Sequence, residues 1–102
     1  MCGIVGVINS QNIREDDIDD VSIMNSLIKH RGPDNADYYD SDWFCCGSSR
    51  LAIIDLNHSA NQPMVSINKR YIIVFNGEIY NYKNLRQELL ETGVELQTQS
   101  DT

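Results

Sequence analysis

Strand-like and helix-like segments follow one another along this chain with only short connections between them. Residues Gly3 to Asn9 alternate small and β-branched side chains, which is typical of a buried strand, and Tyr71 to Phe75 is the strongest strand pattern of all. Parallel strands need long crossovers, whereas antiparallel strands can be joined by a few residues. The sequence therefore predicts an α+β fold with antiparallel pairing, and its 102 residues suffice for at most one domain.

The segment after the first strand has the periodicity of an amphipathic helix. Its inward positions recur at helical spacing: Ile18, Val21, Met24 (or Asn25) and Ile28. An acidic start and the basic end at 29–31 suit the helix dipole. Gly32 and Pro33 should then end the helix.

A second helix is predicted after residue 80. Asn81 can cap it, Leu85 and Leu89 form an apolar pair one turn apart, and Gly93 can close it. Beyond this helix, Glu95 to Thr98 has the pattern of a short strand.

Weaker patterns lie between the two helices. Tyr38 to Cys46 and Leu51 to Ile54 are predicted to be strands, and Asn57 to Pro63 is predicted to be a loop. Asn76-Gly77 indicates a hairpin turn, because both residues tolerate positive φ.

Charge and cysteine content exclude several classes of function. The formal net charge is -7, and the eight Lys and Arg residues form no basic face for nucleic acid or for an anionic membrane. We expect no targeting signal before the first strand, and the apolar runs are too short to span a membrane. The three cysteines include the adjacent pair Cys45-Cys46, so a reducing, cytoplasmic setting is expected. The Cys and His spacing predicts no metal site.

Cys2 becomes the first residue if Met1 is removed, and a small second residue permits that removal. The α-amine has a reference pKa of about 7.7–8.0 and the thiol one of about 8.5, so the amine can take the thiol proton. The alternative is that Cys2 is a small buried residue without a chemical role.

Cys2 belongs to the first of six short sequence motifs that follow one another along the chain. They are MCGIVG at 1–6, HRGPD at 30–34, RLAIID at 50–55, QPM at 62–64, FNGEIYNY at 75–82 and SDT at 100–102. In this order and spacing the chain resembles class II glutamine amidotransferases, and most of all the amidotransferase part of glutamine-dependent asparagine synthetases. Sugar-phosphate amidotransferases also begin with Cys-Gly-Ile but lack the HRGPD and NGEIYN motifs.

The resemblance implies an N-terminal-nucleophile hydrolase fold, a four-layer αββα sandwich that is present here only in part. It implies that Cys2 attacks the carboxamide of glutamine and forms a thioester. Asn76, through its side-chain amide, and Gly77, through its backbone N–H, would hold the oxyanion. From the residues alone, Asn76-Gly77 is interpreted as a hairpin turn, and both interpretations can hold at once.

Further roles follow from the resemblance. Arg50 would bind the α-carboxylate of glutamine, and Asp101 its α-ammonium group. Ile53, Ile54 and Glu78 would line the pocket. The structural alternatives are a surface ion pair for Arg50 and a helix cap for Asp101.

The motif residues without these roles are expected to be structural. His30, Arg31 and Asp34 would shape a loop near the site, and Cys45 and Cys46 would be packing residues. Relatives carry a histidine or another bulky polar residue just before the arginine of RLAIID. This chain has Ser48-Ser49 there, which affects local packing.

The chain stops at a helix-cap pattern, Ser100-Asp101-Thr102, so we expect it to continue in the natural protein. The ATP-dependent synthetase domain, for which the family implies ATP and Mg²⁺, would follow, and the chain has no cofactor of its own. The isolated piece is expected to be inactive. The alternatives are an amidotransferase acting on another carboxylate and a truncated remnant without catalysis.

Overall fold

The computed structural model describes residues 2–102. The predicted removal of Met1 concerns a residue outside this range. The described chain is a mixed α and β structure with antiparallel sheets, as the sequence predicts.

A three-stranded sheet forms the first half of the structure. It contains β1 (Gly3–Ile8), β2 (Asn35–Asp40) and β3 (Phe44–Arg50), in the order β1-β3-β2. Both pairings are antiparallel, and Gly3 lies opposite Ser49 while Asn35 lies opposite Arg50. The central strand β3 is therefore the one against which the start of the chain is placed.

Helix α1 (Glu15–Leu27) packs against this sheet. Its inward residues are the predicted ones, since Val21 and Asn25 are buried and Ile18, Met24 and Ile28 are half-buried. The basic residues that were predicted to end the helix instead form a separate 3₁₀ turn, Lys29–Arg31, because Ile28 leaves helical geometry with ψ of 7°.

A two-stranded antiparallel sheet and a second helix form the other half. The strands are β4 (Met64–Val65) and β5 (Ile72–Ile73), and the helix is α2 (Tyr82–Glu91). Asn81 stands at the N-cap position without capping through its side chain, and Gly93 has a φ of +84°, the left-handed conformation expected after a helix.

Cavities lie on both sides of the second sheet. One of about 400 Å³ separates β1 and β3 from Ile72 and Val74. Another of about 440 Å³ is lined by β4, β5, α2 and residues 95–102. The four-layer sandwich stays a prediction.

Two of the weaker strand predictions are wrong because distant side chains bind the backbone of those segments. In the 51–54 segment, the N–H of Leu51 contacts Cys2 and that of Ala52 bonds to Asp34. In the 95–98 segment, the carbonyl of Thr98 accepts a hydrogen bond from Arg86. Neither segment forms a strand.

The remaining strand patterns are shortened or divided. The predicted strand from Tyr38 to Cys46 is interrupted by a turn at 41–43, between β2 and β3. Only Ile72–Ile73 of the 71–75 run is paired, because the N–H of Phe75 bonds to the side chain of Gln62 at 2.5 Å. The Asn76-Gly77 hairpin turn is also wrong, since neither residue has a positive φ and no strand follows.

Candidate active site

Cys2 lies immediately before β1, beside the end of β3. The pairing of Gly3 with Ser49 directs the preceding residue towards Arg50 and Leu51. The Sγ atom of Cys2 accepts a hydrogen bond from the N–H of Leu51 at 3.4 Å and lies 3.8 Å from the carbonyl oxygen of the same residue. The thiol is only partly buried, so it is both held in place and within reach of a small molecule.

The HRGPD stretch fixes the backbone of the cysteine. Arg31 donates a hydrogen bond from Nε to the carbonyl oxygen of Cys2 at 3.1 Å. Gly32 lies so close to β3 that an added Cβ would come within 2.3 Å of the carbonyl oxygen of Ser49. Only glycine fits at this contact, and the 3₁₀ turn is thereby held against the end of the strand.

Asp34 extends the same contact beyond β3. Its N–H donates to the carbonyl of Arg50 at 3.1 Å, and its Oδ2 accepts from the N–H of Ala52 at 2.8 Å. The HRGPD stretch therefore holds the backbone on both sides of Leu51, the residue that contacts the thiol.

Arg50 is buried, with 7% of its surface exposed. Its guanidinium donates to Oδ1 of Asn61 at 2.8 Å, to the carbonyl of Asn57 at 3.3 Å, and to the carbonyl of Asp55. The predicted alternative of a surface ion pair is wrong, because Arg50 itself is buried and these partners are neutral oxygens of the 55–61 loop. Arginine has five N–H groups, so two of them have no acceptor in residues 2–102.

Asp55 closes the loop that Arg50 holds. Its Oδ1 accepts from the N–H and the side-chain amide of Asn57, and its Oδ2 accepts from the N–H of Gln99 at 2.7 Å. These backbone hydrogen bonds, together with the positive charge of Arg50, lower the pKa of the Asp55 carboxyl. The charged carboxylate joins the 55–61 loop to the end of the chain.

The last residues of the chain contact the NGEIY segment. Asp101 accepts a hydrogen bond on Oδ2 from the N–H of Ile79 at 2.9 Å. Gln62 accepts from the N–H of Phe75 and donates to Oγ1 of Thr102 at 3.3 Å. The QPM, NGEIY and SDT motifs are thus connected directly, although they lie far apart in the sequence. No helix begins at Asp101 in the described residues.

The predicted oxyanion residues are exposed. Neither Asn76 nor Gly77 makes a hydrogen bond to Cys2 within residues 2–102. A Cβ at Gly77 would come within 2.7 Å of the Phe75 ring, so a larger residue there would require the ring to move. Glu78 is exposed as well. The side-chain amide of Asn76 and the N–H of Gly77 are therefore accessible to a ligand.

The remaining predicted pocket residues lie just beyond the contact with Cys2. Ile53 is 72% exposed, and Ile54 is also exposed. Both follow Ala52, whose N–H is bound by Asp34.

Cys45 and Cys46 are buried in β3, and burial raises the pKa of both thiols. Among residues 2–102, no cluster of His, Cys, Asp and Glu side chains is large enough to hold a metal ion. No helix in this part of the chain combines the length and apolar character needed to cross a membrane.

The family described as "Glutamine amidotransferase domain" matches residues 1–102. The chain belongs to this family. It is 42% identical over 104 residues, its whole length, to asparagine synthetase [glutamine-hydrolyzing] 1 of Bacillus subtilis, of which it covers 16%. It is 36% identical over 88 residues, or 86% of its length, to asparagine synthetase B [glutamine-hydrolyzing] of Escherichia coli, again covering 16%. This amidotransferase domain thus spans about a sixth of the relatives' length.

Sequence reasoning assigned no role to several residues that organise this amidotransferase domain. Gln62 and Asp55 were recognised only as members of the QPM and RLAIID motifs, without a role of their own. Their partners are 40 and 44 positions away, at Thr102 and Gln99. Asn25 was noted as an inward helix position, but its hydrogen bonds to β3 depend on the packing of α1 and had no signal in the sequence.

Proposed function

We propose that this chain carries out the glutaminase half-reaction of an asparagine synthetase. Glutamine would be hydrolysed to glutamate through a Cys2 thioester, and the released ammonia would amidate aspartate in an ATP-dependent domain. Membership of the glutamine amidotransferase family supports the substrate. The single observation that carries the proposal is the partly exposed thiol of Cys2, held by the backbone of Leu51.

The first step requires a base for the thiol. After removal of Met1, the free α-amine of Cys2 takes the thiol proton, and Sγ attacks the carboxamide carbon of glutamine. The hydrogen bond from the N–H of Leu51 holds the sulfur in place for this attack. The amine then gives its proton to the leaving ammonia as the C–N bond breaks, and water hydrolyses the thioester.

Glutamine would be recognised by its α-carboxylate and α-ammonium groups. The two unengaged N–H groups of Arg50 can bind the carboxylate while the others hold the 55–61 loop. Asp101 has lone pairs beyond the one used by Ile79 and can accept from the ammonium group. The backbone of Ile53 and Ile54, and Glu78, would complete the pocket.

The tetrahedral intermediate needs donors for its oxyanion. The exposed amide of Asn76 and the N–H of Gly77 are proposed to supply them. One donor of this kind is typically worth about 2.7–4 kcal/mol to the transition state.

The acceptor reaction lies outside this chain. The proposed synthetase domain of the same polypeptide would bind ATP and Mg²⁺ and activate aspartate. No nucleic acid or membrane takes part in this proposal, and the setting is cytoplasmic. The names of the relatives favour aspartate over another carboxylate as the acceptor.

The experiment uses the protein in the length that its own gene encodes. The substrates are aspartate, ATP and glutamine labelled with ¹⁵N at the side-chain amide. We expect ¹⁵N-labelled asparagine and an equal amount of unlabelled glutamate. Cys2→Ala should abolish both products, whereas Cys46→Ala should retain them. Glutamate without asparagine would indicate a different acceptor, and no Cys2-dependent glutamate would overturn the proposal and favour the non-catalytic remnant.

A further inference from the structure

A buried amide–hydroxyl pair joins α1 to the strand that carries Arg50. Ser49 is fully buried and donates a hydrogen bond from Oγ to Oδ1 of Asn25 at 3.1 Å. Asn25 is 6% exposed, and its Nδ2 lies 3.3 Å from the carbonyl oxygen of Asp37 and 3.5 Å from that of Ser48. The amide of one helix residue therefore contacts both β2 and β3.

The local sequence makes room for this contact. At Gly47, an added Cβ would lie 3.1 Å from both Cγ and Nδ2 of Asn25. Gly47 and Ser49 are two residues apart on β3, so they face α1 together. Small residues at both positions let the Asn25 amide reach the strand backbone.

The strand geometry connects this pair with the candidate site. Because side chains alternate along a strand, Arg50 points away from α1 while Ser49 points towards it. Arg50 thus has contacts from two sides: its guanidinium holds the 55–61 loop, and its backbone follows a residue fixed by Asn25. A shift of Ser49 would move the guanidinium directly.

We propose that Asn25 and Ser49 are positioning residues, which set the place of Arg50 and thereby the affinity for glutamine. This inference depends on the proposed function, since it assigns to Arg50 the α-carboxylate of the substrate. Neither residue touches substrate or the reacting atoms. Their effect is on ground-state binding, so it falls on KM more than on kcat.

The test compares variants in the full-length protein. Ser49→Ala removes the hydroxyl, and Asn25→Leu removes the amide at similar volume. We expect each to raise KM for glutamine roughly tenfold, because small misplacements of binding groups have large effects, with kcat within about twofold of wild type. The double variant should be little worse than Asn25→Leu alone, since that variant already removes the hydrogen bond between Asn25 and Ser49.

Val21→Ala is the matched control. Val21 is buried on the same face of α1 but takes no part in the hydrogen bond between Asn25 and Ser49. The variant therefore weakens the packing of the helix and leaves that hydrogen bond in place. We expect a lower Tm with an unchanged KM. If Ser49→Ala does not fold, Asn25→Leu tests the same claim.

Three results overturn the inference. An unchanged KM in Ser49→Ala or Asn25→Leu does so alone, and so does an equal rise in KM in Val21→Ala, which would mark a general loss of rigidity. Absence of glutamine hydrolysis in the wild-type protein would overturn the proposed function and the inference with it. The wild-type measurement thus separates the two failures.

Discussion

The Sγ atom of Cys2 lies 3.4 Å from the backbone nitrogen of Leu51, which donates a hydrogen bond to it. The sulfur of the candidate nucleophile is therefore contacted directly by the backbone that follows β3. Arg31 and Asp34 fix that arrangement from the other side, through the carbonyl of Cys2 and the N–H of Ala52.

Arg31→Met should lower the rate of glutamine hydrolysis. The variant keeps an apolar stem of similar length but removes the hydrogen bond to the carbonyl of Cys2, so the thiol is less well placed. We expect kcat to fall about tenfold or more, because misplacement of a reacting group by 1 Å can cost about a hundredfold. Lys29→Met, in the same 3₁₀ turn but exposed, is the control and should match wild type in the same assay. Equal rates in both variants would contradict the role given to Arg31.

Gly32→Ala should be strongly destabilising for steric reasons. Its Cβ would meet the carbonyl of Ser49 at 2.3 Å, and such overpacking costs about 1–3 kcal/mol or more. At Gly93 the surroundings are open and φ is +84°, so Gly93→Ala should lose only about 1 kcal/mol from backbone strain. Urea unfolding of both variants measures the difference. A smaller loss at Gly32 than at Gly93 would argue against the close contact.

Arg50→Lys should weaken both stability and glutamine binding. Lysine cannot reach the three oxygens of Asp55, Asn57 and Asn61 from one planar group, and each hydrogen bond to a charged donor is worth about 1.5–3 kcal/mol. Thermal unfolding and KM for glutamine are the measurements. Arg86→Lys, which changes an arginine that donates to Thr98, is the matched control and should leave KM unchanged. A wild-type KM in Arg50→Lys would contradict the assignment of the carboxylate site.

Stability should fall in acid through Asp17. Hydrogen bonds from the Arg14 side chain, from the Arg14 backbone and from Asn9 lower the pKa of this carboxyl to about 2. The charged form is thus favoured in the folded state, so its contribution is complete above the unfolded pKa of about 3.9. It is lost as the pH falls from about 4 towards 2.

Asp17→Asn tests this linkage. The variant should be less stable than wild type at pH 7, and the difference should shrink as the pH approaches 2. Asp19→Asn, an exposed position on the same helix, should show no such trend. The measurement is the midpoint of urea unfolding for each protein across this pH range. A difference in stability between Asp17→Asn and wild type that does not change with pH would count against the hydrogen-bonded carboxylate.

The elements with local signals were predictable from the sequence. β1, α1 and α2 have periodic apolar residues and clear ends, such as Gly93. Leu51 to Ile54 and Glu95 to Thr98 have strand-like composition, yet Asp34 and Arg86 bind their backbone instead of a neighbouring strand. Composition alone cannot report such long-range contacts.

In the candidate site, too, some features were predictable from local motifs while others depend on long-range contacts. Its motifs identified Cys2 and Arg50 as residues of interest, and the structure places both beside the end of β3. The hydrogen bond between Asn25 and Ser49 was not predictable, because it joins residues 24 positions apart through the packing of a helix on a sheet. The Asn76-Gly77 turn failed for a related reason, since Gln62 takes the N–H of Phe75 and ends the strand early.

The most direct test of the account is to find which atom of the natural protein reacts with an electrophilic analogue of glutamine. The protein would be purified from its own host, treated with the analogue, and mapped by peptide mass spectrometry. We predict one adduct, on the sulfur of Cys2, in a peptide that begins at Cys2, with excess glutamine preventing the reaction. A peptide that retains Met1, or an adduct that is absent or lies on another residue, would contradict the central claim.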